Sequence, residues 1–411
     1  MMEKHDLRAA ISLAAVFSVR MLGLFMVYPV FAAFARHLAG ATPYKIGVAL
    51  GIYGLSQGVL QMPFGALSDR IGRKVMIVIG LTVFGIGSAI AASASTIDGM
   101  ILGRLLQGAG AIGSVVLALI ADLTAEKNRT KAMALVGMTI GFSFLVAIVT
   151  GPAIAGWIGV GGIFWLMAAL ALAGIAITAR VVPAAPRPRA RLEAGTAAGT
   201  VRGLIGSSLR NPELLRLNFG IFALHAMLTA SFLVVPALLR GTLGMSSHEQ
   251  WLVYLPVLLL SVAVMAPAII VAERHRRMKV VLVGSVAALA ASQLMLAVSG
   301  SNPYLLLAGL VVFFSGFNIM EASLPSLVTK TAPAGSTGTA TGIYSSSQFL
   351  GIFVGGVIGG WVHQAAGTTA VFLFASAVAI VWLLVAATMR GPALGYHGAR
   401  VPATARRSPE R

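Results

Sequence analysis

Four ionisable side chains stand inside long apolar runs: Arg20, Arg104, His225 and Glu321. Charge withdrawn from water is expensive, so each needs a partner, a water-filled pathway or a function that retains it. Glu321 is the only acid deep in such a run, and a shielded carboxyl is suited to carrying a proton. The competing reading is a structural ion pair, with Arg20 as the candidate partner. His225 titrates near neutrality without help, as a second proton carrier or as a hydrogen-bonded structural residue. Arg20 lies near the middle of its run, where it either binds an anionic solute or holds Glu321 ionised. Only the first role predicts anionic substrates. Uncharged polar residues at comparable depth are Tyr28, Tyr53, Gln57, Gln61, Gln107, Asn218 and Asn318. Tyr53, Gln57 and Gln61 recur every four residues and share one helix face, as substrate contacts or as helix-to-helix hydrogen bonds. Met21, Phe25, Met26 and Phe31 offer an adaptable apolar wall, or pack against lipid and protein.

The elements that must position these residues are membrane-spanning helices. Of 411 residues, 58% are apolar and 10% charged, against about 25% charged in soluble chains. Charge-free stretches such as 75–97 are long enough for one crossing, and 132–179 for two. The pattern predicts an all-α membrane protein with twelve spans: 9–36, 46–67, 75–95, 99–121, 132–157, 160–182, 214–239, 249–271, 279–299, 303–328, 338–363 and 368–389. Apolar runs recur to residue 389, which excludes a cleaved leader on a soluble body. The net charge of +18 does not indicate nucleic acid, because the basic residues sit in loops. Cysteine is absent, which excludes disulfides, thiolate metal sites and thiol nucleophiles. No Walker loop and no hydrolytic motif occur, so the chain reads as no enzyme. An ion gradient, with no bound cofactor or metal, is the remaining common energy source.

The organisation expected is a six-helix bundle over 1–182, a basic linker over 183–213, a second six-helix bundle over 214–390 and a polar tail over 391–411. The linker contains Pro183, Pro186 and Pro188 among five arginines. Asn211-Pro212-Glu213 then reads as a helix start, with a cap, a proline at the first position and an acid at the positive helix end. With the N-terminus inside, all but five of the 30 Lys and Arg fall on that side or in the tails. The exceptions are Arg36, Lys45 and Arg240 outside, and Arg20 and Arg104 within spans. This bias places both termini in the cytoplasm. The chain also repeats itself at an offset of 204 residues: Pro63 meets Pro267, Asp69 meets Glu273, Arg70 meets Arg274, Gly151 meets Gly355, Gly156 meets Gly360, and Trp157 meets Trp361. Six spans per copy imply parallel pseudo-symmetric halves with a central site between them.

Three motifs sharpen this reading. Gly65-Ala66-Leu67-Ser68-Asp69-Arg70-Ile71-Gly72-Arg73-Lys74 lies between the second and third spans. Gly65 permits close helix approach, Gly72 permits a tight turn, and Asp69 needs a basic partner or a helix N-terminus. Span four carries Arg104-Leu105-Leu106-Gln107-Gly108, and span five carries Ala147 through Gly151-Pro152 to Gly156. The first motif resembles the signature loop of the major facilitator superfamily, and the second resembles that family's Arg-x-x-Gln-Gly. The third resembles its antiporter motif, with alanine at two glycine positions, Ala147 and Ala155. The stretches Phe17–Gly23, Asn128–Met133 and Tyr344–Gly351 resemble the YajR-type bacterial transporters, grouped with drug:proton antiporters.

The resemblance implies a fold, a latch and a mechanism. Spans one, four, seven and ten would line a central cavity, which puts all four buried ionisable residues on cavity helices. Asp69 would face the start of span eleven, near Ser336-Thr337. The basic residues of the loop would pair with Asp122 at the end of span four, with Glu273 and Arg274 as the degenerate second copy. Arg104 would influence protonation of a nearby acid, unless it reaches to the outer surface instead. Gly151, Pro152 and Gly156 would pack helices. YajR-type chains continue into a small soluble domain that is expected to be absent here. The implied activity is proton-coupled export of small amphipathic compounds by a monomer in the bacterial inner membrane. The alternatives are a proton-coupled importer or facilitator of a small metabolite, and a membrane sensor that moves nothing.

Overall fold

The computed structural model describes residues 4–183, 203, 206–333 and 336–389. Most of the linker expected at 183–213, and all of the tail expected at 391–411, lie outside the described residues. The helices are α1 (Lys4–Ala35), α2 (Pro43–Ile71), α3 (Arg73–Ala92), α4 (Ile97–Ala109), α5 (Gly113–Leu123), α6 (Glu126–Arg180), α7 (Pro212–Leu243), α8 (Trp251–Arg274), α9 (Met278–Val298), α10 (Pro303–Thr331) and α11 (Thr337–Ala387). Hydrocarbon offers the backbone no partners, so a spanning segment must satisfy its own N–H and C=O groups, as a helix does. The starts are written in the sequence. Asn211 accepts from the backbone N–H of Glu213 and Leu214 ahead of Pro212, and Asn302 does the same for Tyr304 and Leu305 ahead of Pro303.

Nine helical stretches among the described residues are long and apolar enough to cross a membrane. Two of them, α6 and α11, each contain one glycine outside helical geometry: Gly159 (φ 69°, ψ 170°) and Gly367 (φ 80°, ψ −171°). Both arms of α6 touch the same part of α1. A Cβ at Gly151 would lie 2.4 Å from the Met26 carbonyl oxygen, and one at Gly23 would lie 2.9 Å from Met167 Cγ. In one straight helix, residues 151 and 167 would stand about 24 Å apart, so the chain doubles back at Gly159. Similarly, Gly351 abuts Phe222 of α7 and Trp382 abuts Gly220, half a turn away, so α11 doubles back at Gly367. Each therefore supplies two spans. With α2, whose polar face makes it less apolar than the nine, the fold has twelve spans in two bundles, α1–α6 and α7–α11.

Span four departs from expectation. It is not continuous but breaks into α4 and α5 between Ala109 and Gly113. Crowding explains the break. A Cβ on Gly108 would lie 2.1 Å from Ser56 Oγ and 2.2 Å from the Tyr53 carbonyl, and one on Gly110 would lie 2.3 Å from the Gly80 carbonyl. Glycine allows that approach and weakens the helix at the same place.

The halves join mainly where α2 runs along α11. Cβ atoms on Gly47, Gly51 and Gly54 would lie 2.2, 2.8 and 2.4 Å from the carbonyl oxygens of Gly356, Phe353 and Phe349. Tyr44 N–H donates to Gln364 Oε1 (3.2 Å), and Ser346 Oγ donates to the Gly58 carbonyl (3.1 Å). On its other face, α11 sets Gly351 and Gly355 against the Phe222 and Ala226 carbonyls of α7, and Gly359 against Ala230. Glycines four apart thus give α11 two contact faces. Near the start of α11 Ser336 and Ala340 stay buried, but the faces bearing Gly338 and Gly342 are open: Cβ atoms there would meet nothing within 4 Å. The halves touch at the end bearing Tyr44 and Gln364 (the far face) and part at the end bearing the 65–74 loop (the loop face).

The repeat is visible in the backbone. Gly72 turns between α2 and α3 at φ 103°, and Arg276, 204 positions on, is the one non-glycine residue at positive φ (54°) among the described residues. The second copy keeps a left-handed turn without the glycine. The helix reversals need glycine more strictly, because φ near +70° with extended ψ is essentially closed to other residues. Gly159→Ala and Gly367→Ala are each expected to lower stability by about 1–3 kcal/mol, read as a lower thermal midpoint in detergent.

Candidate functional site

The candidate residues form two separate groups, one in each half. In the first, α1 places Arg20 against α2. Arg20 is fully enclosed (0% exposed), and its Nη2 donates to Gln57 Oε1. Gln57 Nε2 donates onward to Gln61 Oε1 at 3.3 Å, and the Gln61 carbonyl accepts from Ser114 Oγ (2.7 Å) at the start of α5. Arg104 lies 5.0 Å from the centre of the Tyr53 ring, and Arg20 lies 5.8 Å from it. A guanidinium over an aromatic face gains about 0.5–2 kcal/mol, so Tyr53 accommodates two cations at once. Arg104 also donates to the Ala49 and Leu50 carbonyls and, at 3.0 Å, to Gln107 Oε1, while Gln107 Nε2 donates to Ser88 Oγ at 2.8 Å.

Two expectations are corrected here. Arg20 is not the partner of Glu321, since Gln57 of its own half holds it. Arg104 does not reach to an outer surface, since it is buried and spends its donors on α2 and on Gln107 of its own helix. Neither arginine lines a water-filled pathway in this conformation. Glycine makes the difference: Gly108 and Gly87 let α4 approach α2 and α3 so closely that the guanidiniums are sealed between helices.

The second group is built by α7, α10 and α11. His225 on α7 places Nδ1 3.3 Å from the Ile221 carbonyl, so Nδ1 is the donor, and Nε2 is the acceptor when the ring is neutral. Gln348 on α11 turns its Nε2 to His225 Nε2 (2.8 Å) and to Glu321 Oε1 (3.3 Å) on α10. Glu321 Oε2 stands 3.8 Å from His225 Nε2. The Glu321 side chain keeps 31% of its surface exposed, whereas His225 keeps 2%. Phe317 closes the other side, 5.7 Å from the imidazole and stacked at 5.3 Å on Phe144 of the first half. Glu321 lies ten residues from the loop-face end of α10 and His225 thirteen from that of α7, about 15–20 Å deep at 1.5 Å per residue. A carboxyl and an imidazole this close at mid-membrane can exchange and hold a proton.

The remaining candidates scatter. Tyr28 meets Thr229 Oγ1 at 3.4 Å and Phe232 ring to ring at 5.6 Å, joining α1 to α7 across the halves. Asn318 donates to Ser261 Oγ at 2.7 Å, a bond between α10 and α8. Asn218 is buried away from both groups' hydrogen bonds. Gly151 packs on α1 next to Pro152, and Gly156 faces His248, where a Cβ would lie 2.7 Å from another. On the loop face Arg73 is the hub. It pairs with Asp69 (2.6 Å) and Asp122 (3.1 Å) and donates to Ser68 Oγ (2.6 Å), while Lys74 donates to the Val182 carbonyl (2.9 Å). Asp69 therefore does not face the start of α11 as the resemblance implied, because the halves have parted there. Arg70, Glu273 and Arg274 are exposed, and Gly65 sits over Ser114. The residue missed from sequence is Gln348. Its signal was available, since it is the sole Asn or Gln within 338–363.

The profile of the Major Facilitator Superfamily matches residues 13–356 and 217–409. The chain belongs to the major facilitator superfamily. This superfamily member is 46% identical over 391 residues to the inner membrane transport protein YajR of Escherichia coli (strain K12), covering 95% of this chain and 85% of that protein. Over 161 residues it is 32% identical to multidrug resistance protein 1 of Bacillus subtilis (strain 168), 38% of this chain and 39% of that one. Its fold matches a bacterial homolog to the human lysosomal transporter Spinster with a TM-score of 0.72, at 12% identity over 94% of this chain and 96% of that one. The superfamily consists of transporters, so the expectation that the chain is no enzyme holds.

Gln57→Leu strips the acceptor from a buried charge, whereas Gln61→Leu removes one neutral bond. The first is expected to cost about 1–3 kcal/mol more stability than the second, checked by thermal unfolding of both variants in nanodiscs.

Proposed function

We propose that the protein is a proton-coupled secondary transporter of the bacterial inner membrane that exports small amphipathic compounds by alternating access. The observation that carries this reading is the meeting of His225, Gln348 and Glu321 at mid-membrane depth. Glu321 is the proton carrier and His225 its exchange partner. Both lie on helices of one half and under an aromatic contact, Phe317 on Phe144, that crosses to the other. Protonation therefore acts where the halves meet. The proton gradient is the energy source, with no bound cofactor.

The loop face is cytoplasmic in this reading, because the Lys and Arg of the loops concentrate there; both termini lie on that side, and residues 183–213 link the halves across it. The conformation with a closed far face and a parted loop face is then open to the cytoplasm, ready to accept a compound for export. The arginines beside Tyr53 do not serve substrate in this state but brace the first half. The 65–74 loop, with Arg73 as its hub, latches the halves when Asp69 reaches the start of α11. One chain contains every part of the site, which suits a monomer. The multidrug resistance relatives support efflux, and the alanines at 147 and 155 favour import or facilitated passage of a metabolite as the second reading.

In energised everted vesicles, a transported amphipathic dye such as ethidium is expected to dissipate the pH gradient. Glu321→Gln and His225→Ala are each expected to reduce that response at least tenfold, about 1.4 kcal/mol of coupling. If both variants kept the wild-type response, the mechanism would be wrong. Uptake of the dye into right-side-out vesicles would favour import.

A further inference from the structure

We infer that Gln348 is the positioning residue that ties the proton content of the His225–Glu321 pair to the conformation of the two halves, and that the loop-face-open conformation is the one in which His225 Nε2 carries no proton. This rests on the proton-carrying reading of that pair. One terminal atom of Gln348 faces both His225 Nε2, at 2.8 Å, and Glu321 Oε1, at 3.3 Å. An amide nitrogen has two hydrogens and can serve two acceptors. It serves them both only when the imidazole is neutral with its proton on Nδ1, as the Ile221 contact requires, and Glu321 Oε1 is free to accept; a proton on Glu321 Oε2 leaves the arrangement intact. A proton on His225 Nε2 would point N–H at N–H, and a proton on Glu321 Oε1 would do the same from oxygen. In either case Gln348 must withdraw or turn its carbonyl inward.

Gln348 shares its helical turn with residues that make the seam. Its neighbour Phe349 packs against Gly54 and Gly58 of α2, and Ser346, half a turn back, donates to the Gly58 carbonyl. The titratable groups facing Gln348 are His225 from α7 and Glu321 from α10. Tyr344, one turn earlier on α11, brings a buried hydroxyl near Glu321, and α2 offers only uncharged glycine backbone and Tyr53 to this stretch. Among the described residues the amide is thus the one group hydrogen-bonded to both proton sites, and it shares a helical turn with the joint between halves. Linkage then fixes the sign: a state that binds fewer protons loses population as pH falls.

The chain lacks cysteine, so spin labels at Val75→Cys and Thr329→Cys report the separation of the halves at the loop face without background. Between pH 8 and pH 5.5, the ratio of long to short distances is expected to fall about tenfold in the otherwise wild-type protein. In Gln348→Met, which keeps the volume and removes the amide, the change is expected to stay under about twofold, while Gln348→Asn keeps at least half the response. An equal response in Gln348→Met, with Gln348→Asn folded and also unchanged, overturns the role of Gln348 and leaves the proton reading standing. A wild-type protein indifferent to pH overturns both. A rise in the long-distance population at low pH overturns the assignment of the open state as the one without a proton on His225 Nε2.

Discussion

Backbone-to-backbone contact between α2 and α11 is the constraint on which the rest of the structure depends. Gly47, Gly51 and Gly54 on one side and Gly356 and Gly360 on the other leave no room for a single added carbon. In lipid, apolar side chains gain little by leaving hydrocarbon for a neighbouring helix. Close packing and short polar contacts must hold helices together instead. The seam supplies both, with Tyr44 bound to Gln364 and Ser346 to Gly58. Because it ends near Gly58, the halves are closed at one face and free to part at the other. That single asymmetry sets the open loop face, the parted latch and the exposure of Glu321.

The two halves have divided the electrostatic work. The first buries two arginines with no acid between them, relying on Gln57, Gln107, peptide carbonyls and the Tyr53 ring. Such an arrangement is rigid, because moving any helix strands a charge. The second half has a carboxyl and an imidazole arranged around one amide, a group whose hydrogen bonds can be inverted by a rotation. A rigid half and a switchable half, joined along a glycine seam, suit the proposed alternating access: one provides the reference and the other responds.

Much of this was legible in the sequence. Hydropathy placed the gap between the fifth and sixth spans beside Gly159 and that between the last two beside Gly367, and the 204-residue register extends to the shared left-handed turn at Gly72 and Arg276. The rest was not, for identifiable reasons. The break between α4 and α5 comes from tertiary crowding at Gly108 and Gly110, which no local pattern records. Arg20 and Glu321 looked like partners because one is basic and the other acidic, whereas Arg20 Nη2 donates to a neutral amide four residues from Tyr53 on the neighbouring helix. Gln348 was overlooked because an isolated glutamine carries no charge to flag it, although in hydrocarbon an amide also demands partners. The glycine seam was visible only in part, as Gly360, since spacing alone does not say which helix a glycine stripe will meet.

The central claim is that the Glu321 site communicates with the loop face while the seam is closed. It can be tested by locking the seam with a disulfide between Tyr44→Cys and Gln364→Cys and then measuring how fast a third cysteine, Glu321→Cys, reacts with a water-soluble maleimide applied from the loop face. The expected result is an unchanged labelling rate before and after locking. Loss of labelling in the locked molecule would contradict the account, because the site would then open only when the seam does.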